Sequence, residues 1–272
     1  MIQCKLPGLC VFESALYQTT TTVVDTADMV LVVDPNWLPT EIARVVQYVY
    51  TIKGNRPLYL LFTHSDYDHI IAYHAFPGAK TIASASFVDN PHKAKEIEQI
   101  KAFDDKYYIQ RNYAIEYPHI DIEIAKEEDY IAFENTRIRF WMAPGHNRDG
   151  LFALIEPLGI WIVGDYLSDI EFPFIYHSLS DYEETLEKAG NILSTSRPKV
   201  LVPGHGNACF EGSEMQNRLR VSSDYLQRLR LHIEGKTEFD EQWLWDQYHF
   251  PLGMKVMHEE NIKIITKALN KR

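Results

Sequence analysis

Seven residues of this 272-residue chain have the types and the spacing of a metal-binding site: His64, Asp66, Asp68 and His69, then His146, Asp165 and His205. All are imidazoles or carboxylates, and no thiolate is among them. That donor set suits Zn²⁺, Fe or Mn²⁺ and argues against a purely structural zinc. The first four crowd into the run Thr63-His64-Ser65-Asp66-Tyr67-Asp68-His69. In an extended or tightly turning loop alternate side chains point together, so His64 and Asp66 could face one ion while Asp68 and His69 face another. Any one of these residues alone is better read as structural or solvated; the ordered set carries the weight.

Each member follows a strand-like run. Residues 58–62 are a compact apolar stretch that delivers the chain to Thr63, and residues 130–133 and 137–141, joined at Glu134-Asn135-Thr136, end at Pro144-Gly145-His146. Residues 151–155 and 160–163 flank Pro157-Leu158-Gly159 and run into Gly164-Asp165, and residues 200–202 open into Pro203-Gly204-His205-Gly206. Rigid strands that end in ligand-bearing loops are how open sheets place functional groups. Gly145 and Gly204, each next to a histidine, would permit close backbone approach.

The remaining elements are expected around these. Short strands are read at residues 9–12, 22–24 and 29–33, and a helix from a Thr40 cap carries Ile42, Val45, Val46 and Val49 and stops at Gly54. Residues 92–112 are charged and helix-like, with Ile97, Ile100 and Tyr107-Tyr108-Ile109 on an inner face, and the segment 90–112 could cap a site. A helix is read over 181–193, and helical material continues from about 214. No repeat or linker divides the chain, so residues 1–272 are expected to form one domain.

The ordered set resembles the metallo-β-lactamase superfamily, whose first motif is His-x-His-x-Asp-His, followed by a His, an Asp or Cys, and a final His often within Gly-His-Gly. The resemblance covers about residues 9 to 210. It implies an α/β fold, an αββα sandwich of two mixed sheets flanked by helices, with all seven residues at one edge. It further implies that His64, Asp66 and His146 bind one ion, that Asp68, His69 and His205 bind a second, and that Asp165 bridges them. Asp34 matches an early Asp that supports the metal loop. Two divalent ions are implied, zinc foremost, with iron or manganese as alternatives; they would acidify a water, and Asp68 would handle its proton. Asp66 stands where most members carry a second His, and a carboxylate there raises the chance of a harder ion. The flavodiiron branch has Glu at this position, but the chain leaves no length for a flavodoxin domain.

The formal charge of -11 opposes capture of a polyanion, so no nucleic-acid partner is expected. Residues 1–14 have no basic start with an apolar core and no long apolar run, which predicts a cytoplasmic chain without a membrane span. Cys4, Cys10 and Cys209 are read as reduced thiols. His74, His92, His119, His177, His232, His249 and His258 lack a comparable setting and are read as surface or core histidines. Tyr67, Tyr166, Asp169 and Glu171 are candidates for a pocket lining. Arg148 is expected to pair with Asp149 or another acid in preference to meeting a substrate anion. Trp243, Trp245, Tyr248 and Phe250 are expected to dock the last helices onto the domain.

The expected function is hydrolysis of a small ester, lactone, thioester or amide. The alternative is an iron-dependent oxidoreductase on the same ligands, and a non-catalytic metal-binding protein ranks third. The substrate and the oligomeric state are not legible in the sequence.

Overall fold

The computed structural model describes residues 1–35 and 37–269. In chain order they form β1 (Ile2–Leu6), β2 (Leu9–Glu13), β3 (Thr20–Asp25), β4 (Val30–Val33), α1 (Pro39–Lys53), β5 (Leu58–Leu61), α2 (Tyr67–Ile70), β6 (Lys80–Ser84), α3 (Ala85–Val88), α4 (Lys93–Lys106) and β7 (Ile122–Ile124). There follow β8 (Tyr130–Ala132), β9 (Arg137–Met142), β10 (Leu151–Glu156), β11 (Ile160–Ile162), α5 (Leu179–Thr195), β12 (Val200–Val202), α6 (Gly212–Ile233), α7 (Glu241–Gln247) and α8 (Pro251–Leu269). No described helix is long and apolar enough to cross a membrane.

The strands make two mixed sheets, β1-β2-β3-β4-β5-β6-β7 and β12-β11-β10-β9-β8. Their side-chain alternation explains why four layers form. In β10, Leu151, Ala153 and Ile155 enter the core between the sheets, while Phe152 and Leu154 enter the core under the C-terminal helices. Strands apolar on both faces must be covered on both. The inter-sheet core joins those β10 residues to Val11, Leu31, Val33 and Leu61. On the outer face of the first sheet, Val32, Leu60 and Phe62 pack against Ile42, Val45 and Val49 of α1 and Ile100 of α4. On the outer face of the second, Trp161 and Leu201 pack with Leu186 and Ile192 of α5 and Leu229 of α6. This is the expected αββα sandwich.

Strand direction then decides where the site lies. β4 and β5 are parallel, as are β11 and β12; β9 and β11 share a direction because each is antiparallel to β10. The C-terminal ends of β9, β11 and β12 therefore meet one edge. The amide of Leu151 donates to the Thr63 carbonyl at 2.8 Å, which fastens the loop after β5 to the second sheet at that edge.

Three local expectations are corrected. Thr40 lies inside α1, whose first turn is set by Pro39 and by Glu41, whose carboxylate accepts from the Leu38 amide at 3.2 Å and from Ser14 Oγ at 2.8 Å. Ile100 does face inward from α4, but Tyr107 and Tyr108 lie at and beyond its end and are exposed. The first sheet also contains β1, β6 and β7, three strands beyond those expected from the apolar pattern.

The loop after β9 is held against α5 more tightly than a side chain would allow. Gly145 has φ +127°, and a Cβ there would lie 2.4 Å from Tyr182 Cα, a backbone atom of a helix that cannot retreat. Gly145→Ala should therefore lower stability by about 2 kcal/mol or more, through strain and overpacking together. A urea midpoint within error of the parent would show that α5 does not fix this loop.

Candidate metal centre

The structure brings all seven sequence-predicted residues together. His64, Asp66, His146 and Asp165 offer donor atoms within 4.8 Å of one another, and Asp68, His69 and His205 form a second such group. Asp165 lies between the two. Its Oδ2 is 3.2 Å from His146 Nε2, 3.6 Å from His64 Nε2 and 3.5 Å from His205 Nε2, while Oδ1 is 3.2 Å from His69 Nε2. Asp66 Oδ2 sits 3.2 Å from His146 Nε2 and 3.6 Å from His64 Nε2, and Asp68 Oδ2 is 3.5 Å from His205 Nε2 and 3.7 Å from His69 Nε2.

The split of the first motif comes from a helix start, not from strand alternation. His64 and Asp66 lie on the approach, Asp66 is the N-cap of α2, and Asp68 and His69 lie within that single turn, where the His69 amide donates to the Asp66 carbonyl at 2.9 Å. The helix turns the second pair of side chains away from the first.

Every imidazole presents Nε2 to the centre because its Nδ1 is engaged outside. His146 Nδ1 donates to the Phe174 carbonyl at 2.8 Å, and His205 Nδ1 to the Tyr17 carbonyl at 2.9 Å. His69 Nδ1 meets Asp34 Oδ2 at 3.0 Å. The Thr63 hydroxyl gives its hydrogen to Asp34 Oδ2 at 2.6 Å, so it must accept from His64 Nδ1 at 3.0 Å. Asp34 Oδ1 also takes the Thr63 amide at 2.8 Å. One buried carboxylate thus fixes the loop backbone and the rings of both His69 and, through Thr63, His64. Outer hydrogen bonds of this kind orient imidazole ligands and raise their basicity. Asp66 is oriented in a similar way, since Asn147 Nδ2 donates to its Oδ1 and leaves Oδ2 facing the histidines.

The interior is electrostatically unbalanced without a cation. Burial works against the Asp165 carboxylate, yet His205, His69 and His64 outweigh it and hold its pKa well below the usual range. Burial likewise works against charge on His64, as does His69, but Asp165 and Asp66 hold its pKa up at about 9. His205, opposed by burial, is raised to about 10 by Glu171, Asp165 and Asp68. The carboxylates thus draw positive charge onto the rings. Geometry shows the same demand: His64 Nε2, His69 Nε2 and Asp165 Oδ1 are buried and have no hydrogen-bond partner. Buried polar atoms are almost always satisfied, and unpartnered donors that converge on one point fit a cation. The backbone makes room for this, because a Cβ on Gly204 would lie 2.1 Å from Asp165 Oδ1. The donor set of imidazoles and carboxylates therefore fits divalent metal.

Two clefts meet above the centre. One, about 560 Å³, is floored by Asp66, Asp68, His146, Asp165 and His205; the other, about 490 Å³, extends from Asp66 and Tyr67 toward Arg148 and the segment carrying His92, Lys95, Glu96 and Gln99. Tyr67 and Glu171 line the first cleft, and burial pushes the Glu171 carboxyl up to about 7. Glu171 also groups with Asp165 and His205. Tyr166 is buried and donates to the Pro144 carbonyl at 2.8 Å, and Asp169 accepts from the Asn207 amide at 2.8 Å, so both serve loop structure. The expected Arg148–Asp149 pair does not form. Asp149 is buried beneath the Ser65 amide, whereas Arg148 is exposed at the second cleft and makes no ion pair among the described residues. Trp243, Trp245 and Tyr248 pack against the helical core as expected, but Phe250 lines the first cleft. Cys209 is buried, with its thiol pushed up by burial, and belongs to no ligand group among the described residues.

No family model and no curated protein matches the chain. Solved structures do. A stereoselective inverting sec-alkylsulfatase from Pseudomonas sp. superposes with a TM-score of 0.68 at 11% identity, over 85% of this chain and 42% of that one, so the chain spans under half of that enzyme. A metallo-β-lactamase family protein from Thermus thermophilus gives a TM-score of 0.61 at 16% identity, over 84% of this chain and 83% of that one. An archaeal metallo-β-lactamase superfamily protein from Sulfolobus tokodaii aligns over 98% of this chain and 100% of that one, at 17% identity and a TM-score of 0.56. At these identities the likeness speaks to architecture, and with the two mixed sheets described above it shows that the chain has the metallo-β-lactamase fold.

Proposed function

We propose that the protein is a metal-dependent hydrolase that uses a dinuclear centre on a small ester, lactone, thioester or amide. The observation that carries the reading is the convergence of four imidazole Nε2 atoms on three carboxylates, with His64 Nε2, His69 Nε2 and Asp165 Oδ1 otherwise unsatisfied. In this reading His64, Asp66 and His146 hold one ion, Asp68, His69 and His205 hold the other, and Asp165 reaches both. Two divalent ions bound there would lower the pKa of a water toward neutrality and polarise the oxygen under attack.

The residues of the chain supply position and proton handling. His146 and His205 are locked by backbone carbonyls, and His64 and His69 by the Thr63–Asp34 unit, so the donors are set before any ligand arrives. Asp68 lies at the floor of the larger cleft, where its carboxylate can both ligate and take the proton of the attacking water. Opposite walls, one polar and one apolar, leave room for the two halves of a small substrate. The carboxylate of Asp66 also suits iron, which keeps redox chemistry on the same ligands as the second reading.

Asp68→Asn should lower hydrolytic turnover by about 100-fold or more, since an amide ligates poorly and accepts no proton. Its thermal midpoint and circular dichroism should stay near those of the parent. Unchanged turnover at full metal occupancy would remove Asp68 from the chemistry.

Asp66→His tests the departure from the family motif. An imidazole is softer and uncharged, so the variant should shift metal content toward zinc and lower the pH at which hydrolysis reaches half its plateau. Identical metal content and an identical pH profile at equal occupancy would place Asp66 outside the ligand set.

A further inference from the structure

We propose that the larger cleft receives the acyl chain of the substrate, so that the compounds hydrolysed are esters or thioesters of apolar carboxylic acids. The proposal rests on the hydrolase reading and names its substrate class. One wall of this cleft is Ile170, Phe174, Phe250, Met254 and Met257, and its floor is the seven-residue centre. Its volume of about 560 Å³ is that of a small-molecule pocket.

Charge separates the two clefts. Among the described residues no Lys or Arg lines the larger one, and its carboxylates and imidazoles are those of the floor, Asp66, Asp68, Asp165 and Glu171 with His146 and His205. Away from the metal centre its wall offers no cationic side chain to pair a phosphate or carboxylate on the substrate, whereas the neighbouring cleft carries Lys95 and Arg148. The part of the substrate beside the Met and Phe wall must therefore be uncharged and gain from leaving water. Exposure agrees: Tyr17 is 60% exposed, Tyr176 49% and Phe250 49%, and all three stand at this cleft. Large apolar surface that clusters at an opening marks a contact site. Methionines adapt their shape to the group they meet, so Met254 and Met257 suit a flexible chain.

The wall is also held at a fixed distance from the reacting end. Asn261 of α8 donates to the Pro173 carbonyl at 2.6 Å and accepts from the Ile175 amide at 3.0 Å, which clamps the segment bearing Phe174. The Phe174 carbonyl in turn accepts from His146 Nδ1. Wall and centre thus share one stretch of backbone. In the reaction the water oxygen adds to the acyl carbon, the C–O or C–S bond breaks, and a water proton leaves with the alcohol or thiol. The acyl chain stays against α8.

The test is hydrolysis of p-nitrophenyl acetate, butanoate and octanoate by the metal-loaded protein, with calorimetric binding of acetate and octanoate alongside. kcat/KM should rise at least about tenfold from acetate to octanoate, because each added methylene leaves water. Met257→Glu should lower the octanoate-to-acetate ratio by about tenfold, and Phe250→Ser, at an exposed position that the fold does not need, should lower it by about threefold. A flat chain-length series with active enzyme would overturn the proposal and leave the hydrolase reading standing. If neither these esters nor a parallel panel of thioesters, lactones and amides is turned over, the hydrolase reading fails. The acyl site then stands if octanoate binds more tightly than acetate and Met257→Glu or Phe250→Ser weakens that preference, and falls if the two acids bind alike.

Discussion

Three carboxylates, those of Asp66, Asp68 and Asp165, share one largely buried site, and like charges at this separation repel unless positive charge lies between them. The rest of the site answers that constraint. Four imidazoles stand around the carboxylates with Nε2 inward, and their Nδ1 atoms are committed to Phe174, Tyr17, Thr63 and Asp34. A ring held in this way can take a proton or a cation at Nε2 and has little freedom to turn aside. The carboxylates raise the proton affinity of His64 and His205, and divalent ions would answer the same demand with better geometry.

The sandwich exists to bring these groups to one edge. Parallel pairs β4–β5 and β11–β12 and the shared direction of β9 and β11 send Asp34, Thr63, His146, Asp165 and His205 out of the sheets on the same side. Neither sheet holds the whole set. The hydrogen bond from Leu151 to Thr63 and that from the Thr20 amide to the Gly204 carbonyl stitch the loops across the gap. The C-terminal helices then add what the sheets lack, an apolar wall beside the centre.

Much of this is legible in residue order. Apolar runs such as Leu58–Leu61 and Val200–Val202 are buried on both faces, so their strand character survives any register, and the ligand that follows each run marks its end. Other parts have no local signal. β1 is largely exposed and carries Gln3 and Lys5, and β7 is three residues with an exposed Glu123, so neither shows an apolar period. The one-turn helix α2 is short and polar in sequence, and Asp66 before it gives no side-chain cap, so it has no local signature. Phe174, Met254 and Met257 look like ordinary core residues; the loop before α5 brings the first beside His146, and α8 brings the other two to the same cleft. Sequence adjacency suggests an Arg148–Asp149 ion pair, but the two residues lie in a turn that leaves Arg148 exposed and points Asp149 in toward Ser65.

The central claim is that this pocket is built for two cations that take the place of protons. Its direct test is a calorimetric titration of the metal-free protein with zinc or manganese at pH 7, repeated in buffers of different ionisation enthalpy. The surrounding carboxylates hold His64 and His205 above the ordinary imidazole range, so metal and proton compete for the same Nε2 atoms. The account predicts two ions bound per chain with net proton release. Binding of fewer than two ions, or of two without proton release, would contradict it.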